Sequence, residues 1–346
     1  MKIAQIAPLF ESVPPKFYGG TERVVYHLTE ELVRQGHDVT LYASGDSQTS
    51  ARLAPQCARA LRLDSSCVDN IAPHVLLVEN ICRDAPRYDI IHTHIDYLPY
   101  PVLRRLNTPS VATLHGRLDI PDIAPLYREF SDIPLVSISD AQRAPLPWAN
   151  WQRTVYHGIP ENAFTFRREK GSYLAFLGRI SREKRLDNAI AIARRVGMPL
   201  KIAAKVSDNE KEYFDRHIRP LLKQPQIEYL GEIGEAEKND FLGNAYALLF
   251  PIDWPEPFGL VMIEAMACGT PVIAFPGGSV PEIIENGATG FVVNNIGEAA
   301  GAVRNIEKIS RQACREAFEK RFTASRMAAD YSRVYERIIT SRSWLT

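Results

Sequence analysis

Apolar and polar positions along this chain follow one scheme twice. Lys2-Ile3-Ala4-Gln5-Ile6-Ala7 is a short apolar run of strand type, followed by a loop rich in Pro and Gly (Pro14, Pro15, Gly19, Gly20). Val24, Val25, Leu28, Leu32 and Val33 then recur at helical spacing, stop at Gly36 and give way to an expected strand over 38–43. The second half begins alike: Tyr173-Leu174-Ala175-Phe176-Leu177 reads as a strand and residues 178–184 as a loop. Leu186, Ala189, Ile190, Ala193 and Val196 mark a helix stopped by Gly197, with a strand over 200–204. Strand, loop, helix and strand twice over predict two βαβ units, hence parallel sheets with right-handed crossovers.

Residues 89–94, 110–115, 135–139, 247–250 and 271–275 fit further buried strands, several ending in polar residues. In open α/β sheets ligands bind at that carboxyl edge. Gly158-Ile159-Pro160 leads into the charged stretch Arg167-Arg168-Glu169-Lys170, which suggests a domain boundary there. The expected fold is α/β: two Rossmann-like, doubly wound domains, 1–160 and 161–322, facing each other across a cleft. A last amphipathic helix lies in 323–346, marked by Met327, Tyr331, Val334, Tyr335 and Ile338.

Composition narrows the class. The length of 346 residues suits two domains, and 41 Lys plus Arg against 41 Asp plus Glu leave no net pull towards nucleic acid. No apolar run approaches the roughly 18–20 residues of a membrane span. The opening residues are too soon broken by Pro8 to read as a signal peptide. Five scattered cysteines without Cys-x-x-Cys speak against a disulfide framework or a zinc site, so a cytoplasmic enzyme is expected.

The chemistry concentrates around Glu264, the one ionisable side chain between Phe258 and Cys268. A helix so apolar is buried, and a buried carboxylate needs a partner. That partner is either a ligand or a structural Lys or Arg, and Glu256 stands eight positions earlier, where the chain turns into the helix. Arg179 and Lys184 leave the strand end at 178–184 together, which suits a diphosphate, although Arg182-Glu183-Lys184 alone reads as a solvated loop. Gly19-Gly20 opens a helix; a simple turn is the plainer reading and an anion site the sharper one. His115 ends an apolar strand, where imidazoles are often structural. His92 and His94, alternating along a strand, are expected to turn to opposite faces and so not to form a metal pair. There is no GxGxxG, no GxxxxGK[ST] and no Asp-x-Asp, so neither a nicotinamide nor a metal–diphosphate clamp is indicated.

Together these residues resemble a retaining glycosyltransferase of family four with the GT-B fold. The likeness covers nearly the whole chain and is strongest from Tyr173 to Val293. The family's Glu-x7-Glu motif is present from Glu256 to Glu264, continuing through Ala265-Met266-Ala267-Cys268-Gly269-Thr270-Pro271 and Gly277-Gly278-Ser279-Val280-Pro281-Glu282. Gly19-Gly20-Thr21-Glu22 is similar to its N-terminal glycine loop, and Gly178-Arg179 with Lys184 to its diphosphate grip. The opening and the run Phe250 to Glu256 resemble bacterial hexosyltransferases that use UDP-glucose, some acting on tetrahydrobiopterin; no acceptor is adopted from that likeness.

The resemblance implies roles. Glu264 would take the ribose hydroxyls, Glu256 the hydroxyls of the transferred sugar, and the amides of Phe258, Gly259 and Leu260 phosphate or sugar oxygens. Ile233 would border the base and His115 the sugar's primary hydroxyl, while Gly19 and Gly20 join the donor site. The acceptor would attack from the leaving-group face, with Arg179 and Lys184 stabilising the departing diphosphate and Glu256 no nucleophile. Residues 1–160 would be the acceptor side, with Tyr18 and His94 among its residues, 161–322 the nucleotide-sugar side, and the last helix would cross back to the first domain. UDP-glucose is the first donor expected and GDP-mannose the second, with no metal or other cofactor. The acceptor is a glycan, a lipid-linked glycan or a small metabolite, and peripheral contact with the inner membrane face stays open. A nucleotide-sugar sensor without turnover is the alternative. The chain departs from its relatives at His157-Gly158-Ile159-Pro160, where many carry Asn-Gly-Val-Asp, and at Lys205, near a position that is often glycine, where a cation either approaches the nucleotide or, on the plainer reading, is surface.

Overall fold

The computed structural model describes residues 1–16 and 19–342, the side chain of Arg342 excepted. The chain falls into two compact units, one of Met1–Pro160 with Ala324–Thr346 and one of Glu161–Thr323. Each is built on a wholly parallel sheet.

The first unit has seven strands: β1 (Lys2–Ile6), β2 (Asp38–Ala43), β3 (Arg52–Pro55), β4 (Ile90–Thr93), β5 (Ser110–Thr113), β6 (Leu135–Ser137) and β7 (Trp151–Thr154). Their order is β3-β2-β1-β4-β5-β6-β7, so the winding reverses between β1 and β4. β1 is buried at Ile3, Ala4 and Ile6, and also at the polar Gln5. The last helix, Ala324–Arg342, belongs to this unit and packs on the helix Gly20–Arg34. Met327, Ala328, Tyr331, Val334, Tyr335 and Ile338 form its buried stripe, an i, i+3, i+4 pattern. Arg326 ties its start to the carbonyls of Tyr156 and His157.

The second unit has β8 (Tyr173–Ile180), β9 (Leu200–Val206), β10 (Ile227–Gly231), β11 (Ala245–Phe250), β12 (Val272–Ala274) and β13 (Gly290–Val292). Their order, β10-β9-β8-β11-β12-β13, reverses between β8 and β11. β8 runs three residues beyond the expected Leu177, because β9 continues beside it and pairs Gly178, Arg179 and Ile180 with Ala204, Lys205 and Val206. Arg179 is therefore a strand residue. The helix Leu260–Ala267 is buried from Met262 to Ala267, with only its first two residues half-exposed. Its far end is anchored by the buried Arg311, which donates to the carbonyls of Gly243 and Ala245 and to Thr270 Oγ1. No helix among the described residues is long and apolar enough to cross a membrane.

Candidate active site

Ligands of doubly wound sheets sit where the strand order reverses. In the second unit that point is occupied by the loops leaving β8 and β11, and they are tied together. Asp253 N donates to Glu183 O at 2.8 Å, and Arg185, in the left-handed region at φ 52, reaches Asp253 at 3.0 Å. The clasp brings the Lys184 ammonium onto the Glu256 carboxylate, with both side chains largely buried. Trp254 Nε1 donates to the same carboxylate at 3.0 Å, and its ring lies 4.8 Å from Lys184 Nζ. Aromatic faces and a carboxylate around one ammonium offset the cost of removing it from water.

The backbone at Glu256 is held from behind by residues 277–279. Ser279 N donates to Glu256 O and Ser279 Oγ to Phe258 O. Gly278 crosses so close that a Cβ would lie 2.2 Å from Glu256 O, and its φ of 56 disfavours any other residue. Gly259, at φ 80, then starts the helix Leu260–Ala267. Phe258 is buried, whereas Gly259 and Leu260 are half-exposed at that helix end.

Arg179 Nη2 donates to Glu183 Oε1 at 2.9 Å, while its Nε is buried without a hydrogen-bond partner among the described residues. Lys205 is its register partner on β9, so the two cations share one face at the carboxyl edge. Lys205 is half-buried in this position beside Arg179.

Glu264 is 3% exposed, as its apolar helix requires. Its partner is Lys238, whose Nζ lies 3.0 Å from Oε1. Of the two partners the sequence admits, a ligand or a structural Lys or Arg, a lysine is in place. Lys238 lies in the first turns of the helix Glu235–Gly243, and Ile233 is half-buried just before that helix.

In the first unit His115 is half-buried at the end of β5, beside the reversal between β1 and β4. Burial pushes its imidazole down to about 3, so it is neutral. His157, the departure at the domain junction, stacks on it with ring centroids 5.3 Å apart. His94 is 2% exposed and bonded at both ring nitrogens, to His115 and to Gln5. His94, expected on the acceptor side, is thus engaged within the first unit by Gln5 and His115. His92 and His94 do not oppose each other either; their rings are 4.1 Å apart, because residues two apart on a strand share a face. Gly19 precedes the helix Gly20–Arg34 in an extended conformation, and a Cβ there would meet Pro15 at 2.7 Å. Tyr18 lies outside the described residues. Among the described residues no three His, Cys, Asp or Glu side chains are grouped to hold a metal ion.

Comparison with known proteins agrees with this architecture. Residues 160–323 match the family described as glycosyl transferases group 1, and residues 18–163 match glycosyltransferase family 4. The glycogen synthase of Mycobacterium tuberculosis is 25% identical, over 85% of this chain and 83% of its own. N-acetyl-alpha-D-glucosaminyl L-malate synthase of Bacillus anthracis is 26% identical, over 92% of this chain and 93% of its own. The Anabaena protein HepE, solved in complex with UDP, shares the fold with a TM-score of 0.74 at 18% identity, over 97% of this chain and 100% of that one; it has also been solved with UDP-glucose. Two adjoining family matches, on two parallel Rossmann-like sheets, make this chain a GT-B glycosyltransferase of family four.

Proposed function

We propose that the protein transfers a hexose from a nucleotide-sugar to an acceptor with retention and without metal, UDP-glucose being the first donor and GDP-mannose the second. The observation that carries this reading is the Lys184–Glu256–Trp254 clasp at the reversal point, with Arg179 at the adjoining strand end. A clasped ion pair is suited to exchange partners. Sugar hydroxyls take the Glu256 carboxylate, which frees Lys184 for the diphosphate beside Arg179. The amides of the half-exposed residues Gly259 and Leu260 add the positive end of the helix dipole. Charge that develops on the departing diphosphate is thus met by groups already in place.

Glu264 would take the ribose hydroxyls with its carboxylate held in place by Lys238, and Ile233 would border the base. On the first unit, His115 would meet the sugar's primary hydroxyl, and Gly19 and Gly20 would let the backbone approach the donor. The uridine preference is supported by HepE, a protein of the same fold that binds UDP and UDP-glucose. No observation favours the sensor reading. Release of UDP from UDP-glucose, followed with EDTA present and candidate glycan, lipid-linked or small-molecule acceptors, tests the proposal. Acceptor-dependent release supports it, and release that requires added divalent metal contradicts it.

A further inference from the structure

Gln5 is fully buried in the middle of β1. An amide removed from water must satisfy both its oxygen and its nitrogen, and this one does so with side chains from separate elements. Gln5 Nε2 donates to Tyr335 OH on the last helix at 3.1 Å, and Gln5 Oε1 lies 2.9 Å from His94 Nε2. Tyr335 OH lies 2.7 Å from His92 Nδ1, and His92 Nε2 lies 2.7 Å from Thr113 Oγ1. At the other end, His94 Nδ1 lies 2.9 Å from His115 Nε2.

The amide sets the direction of this chain. Its oxygen can only accept, so His94 Nε2 carries the hydrogen. Burial holds the His94 pKa well below its ordinary value, so the ring is neutral and Nδ1 is a lone pair. The hydrogen between the two rings therefore comes from His115 Nε2. On the other side Gln5 donates to Tyr335, Tyr335 to His92 Nδ1, and His92 Nε2 to Thr113. Turning the amide over would reverse every donor from Thr113 to His115, which makes Gln5 the group that governs them all.

We propose that Gln5 is a positioning residue that holds His115 as its Nε2–H tautomer, leaving Nδ1 to accept from a sugar hydroxyl and so selecting hexose over hexuronate donors of the same nucleotide. The selectivity rests on the placement of His115 at the sugar's primary hydroxyl proposed above. A carboxylate at that carbon has no hydrogen to give and sets its charge against the Nδ1 lone pair. A site built to bond a hydroxyl discriminates by about a hundredfold or more.

Nitrogen-15 correlation spectra of the histidine rings, recorded on the wild type, Gln5→Glu and Gln5→Leu, test this. The wild type shows His115 protonated at Nε2 and bare at Nδ1. Gln5→Glu keeps an accepting oxygen towards His94 and preserves that state. Gln5→Leu offers neither group, so His115 populates both tautomers and the preference for UDP-glucose over UDP-glucuronate falls at least about tenfold. An Nδ1–H His115 in the wild type overturns the proposal, as does an unchanged tautomer in folded Gln5→Leu. If Gln5→Leu does not fold, the wild-type and Gln5→Glu spectra decide. The expected tautomer without any donor preference overturns the selectivity and locates the failure in the sugar contact of His115, not in the relay.

Discussion

Lys238 Nζ lies 3.0 Å from Glu264 Oε1 and joins the helix Glu235–Gly243 to the middle of the apolar helix Leu260–Ala267. The pair gives a carboxylate that is 3% exposed the partner its apolar setting demands. It is also lopsided. Lys238 has a second carboxylate, Glu235, at 3.4 Å, and this makes the two partners unequal when either is removed.

Lys238→Ala strands a buried carboxylate and is expected to cost about 3 kcal/mol of stability. Glu264→Gln leaves Lys238 with Glu235 and is expected to cost about 1 kcal/mol. Urea unfolding of both variants measures the difference, and a larger loss in Glu264→Gln contradicts the assignment of partners.

Gly278→Ala places a Cβ 2.2 Å from Glu256 O at a φ of 56. A loss of about 3 kcal/mol or more is expected, together with the loss of donor binding as the turn carrying Glu256 moves. Gly301, inside the helix Ile296–Arg304, has open space around it and is the control. Gly301→Ala is expected to stabilise by about 0.5–1 kcal/mol, read as a raised Tm.

Lys184→Ala removes the ammonium proposed to meet the diphosphate, while Trp254 Nε1 still donates to Glu256. A fall in kcat of about a hundredfold is expected in a folded protein. Steady-state UDP release measures it, and an unchanged kcat contradicts the role.

The hydrophobic pattern reveals the inner strands of both sheets but misses β3, β7, β10 and β13, which are the four edges. The reason is physical: an edge strand need not bury both faces, and β3 and β10 contain no fully buried residue. In the site, Glu256, Glu264, Arg179 and Lys184 stand out by motif and strand position. Lys238 does not, because it sits in the polar stretch Glu235-Ala236-Glu237-Lys238, 26 positions from its partner. The relay through Gln5 is equally invisible, since it joins β1 to a helix 330 positions away.

Glu22 makes stability depend on pH. Burial, with the nearby Glu11 charge adding to it, raises its carboxyl from 4.5 to about 6 against opposing backbone hydrogen bonds. The unfolded chain therefore ionises first as pH rises, and the contribution present below 4.5 is lost as pH passes about 6. That shift corresponds to about 2 kcal/mol. The stability of Glu22→Gln relative to wild type should rise by this amount between pH 4.5 and 7, as read by urea unfolding at each pH. A constant difference contradicts the buried carboxylate.

The most direct test of the donor site is calorimetric titration of UDP, GDP and ADP in EDTA, into the wild type and Glu264→Gln. UDP is expected to bind without metal and more tightly than GDP or ADP, with its affinity reduced at least about tenfold in the folded variant. UDP binding at full affinity to folded Glu264→Gln, or no binding of any nucleotide to the wild type, would contradict the assignment of Glu264 to the ribose.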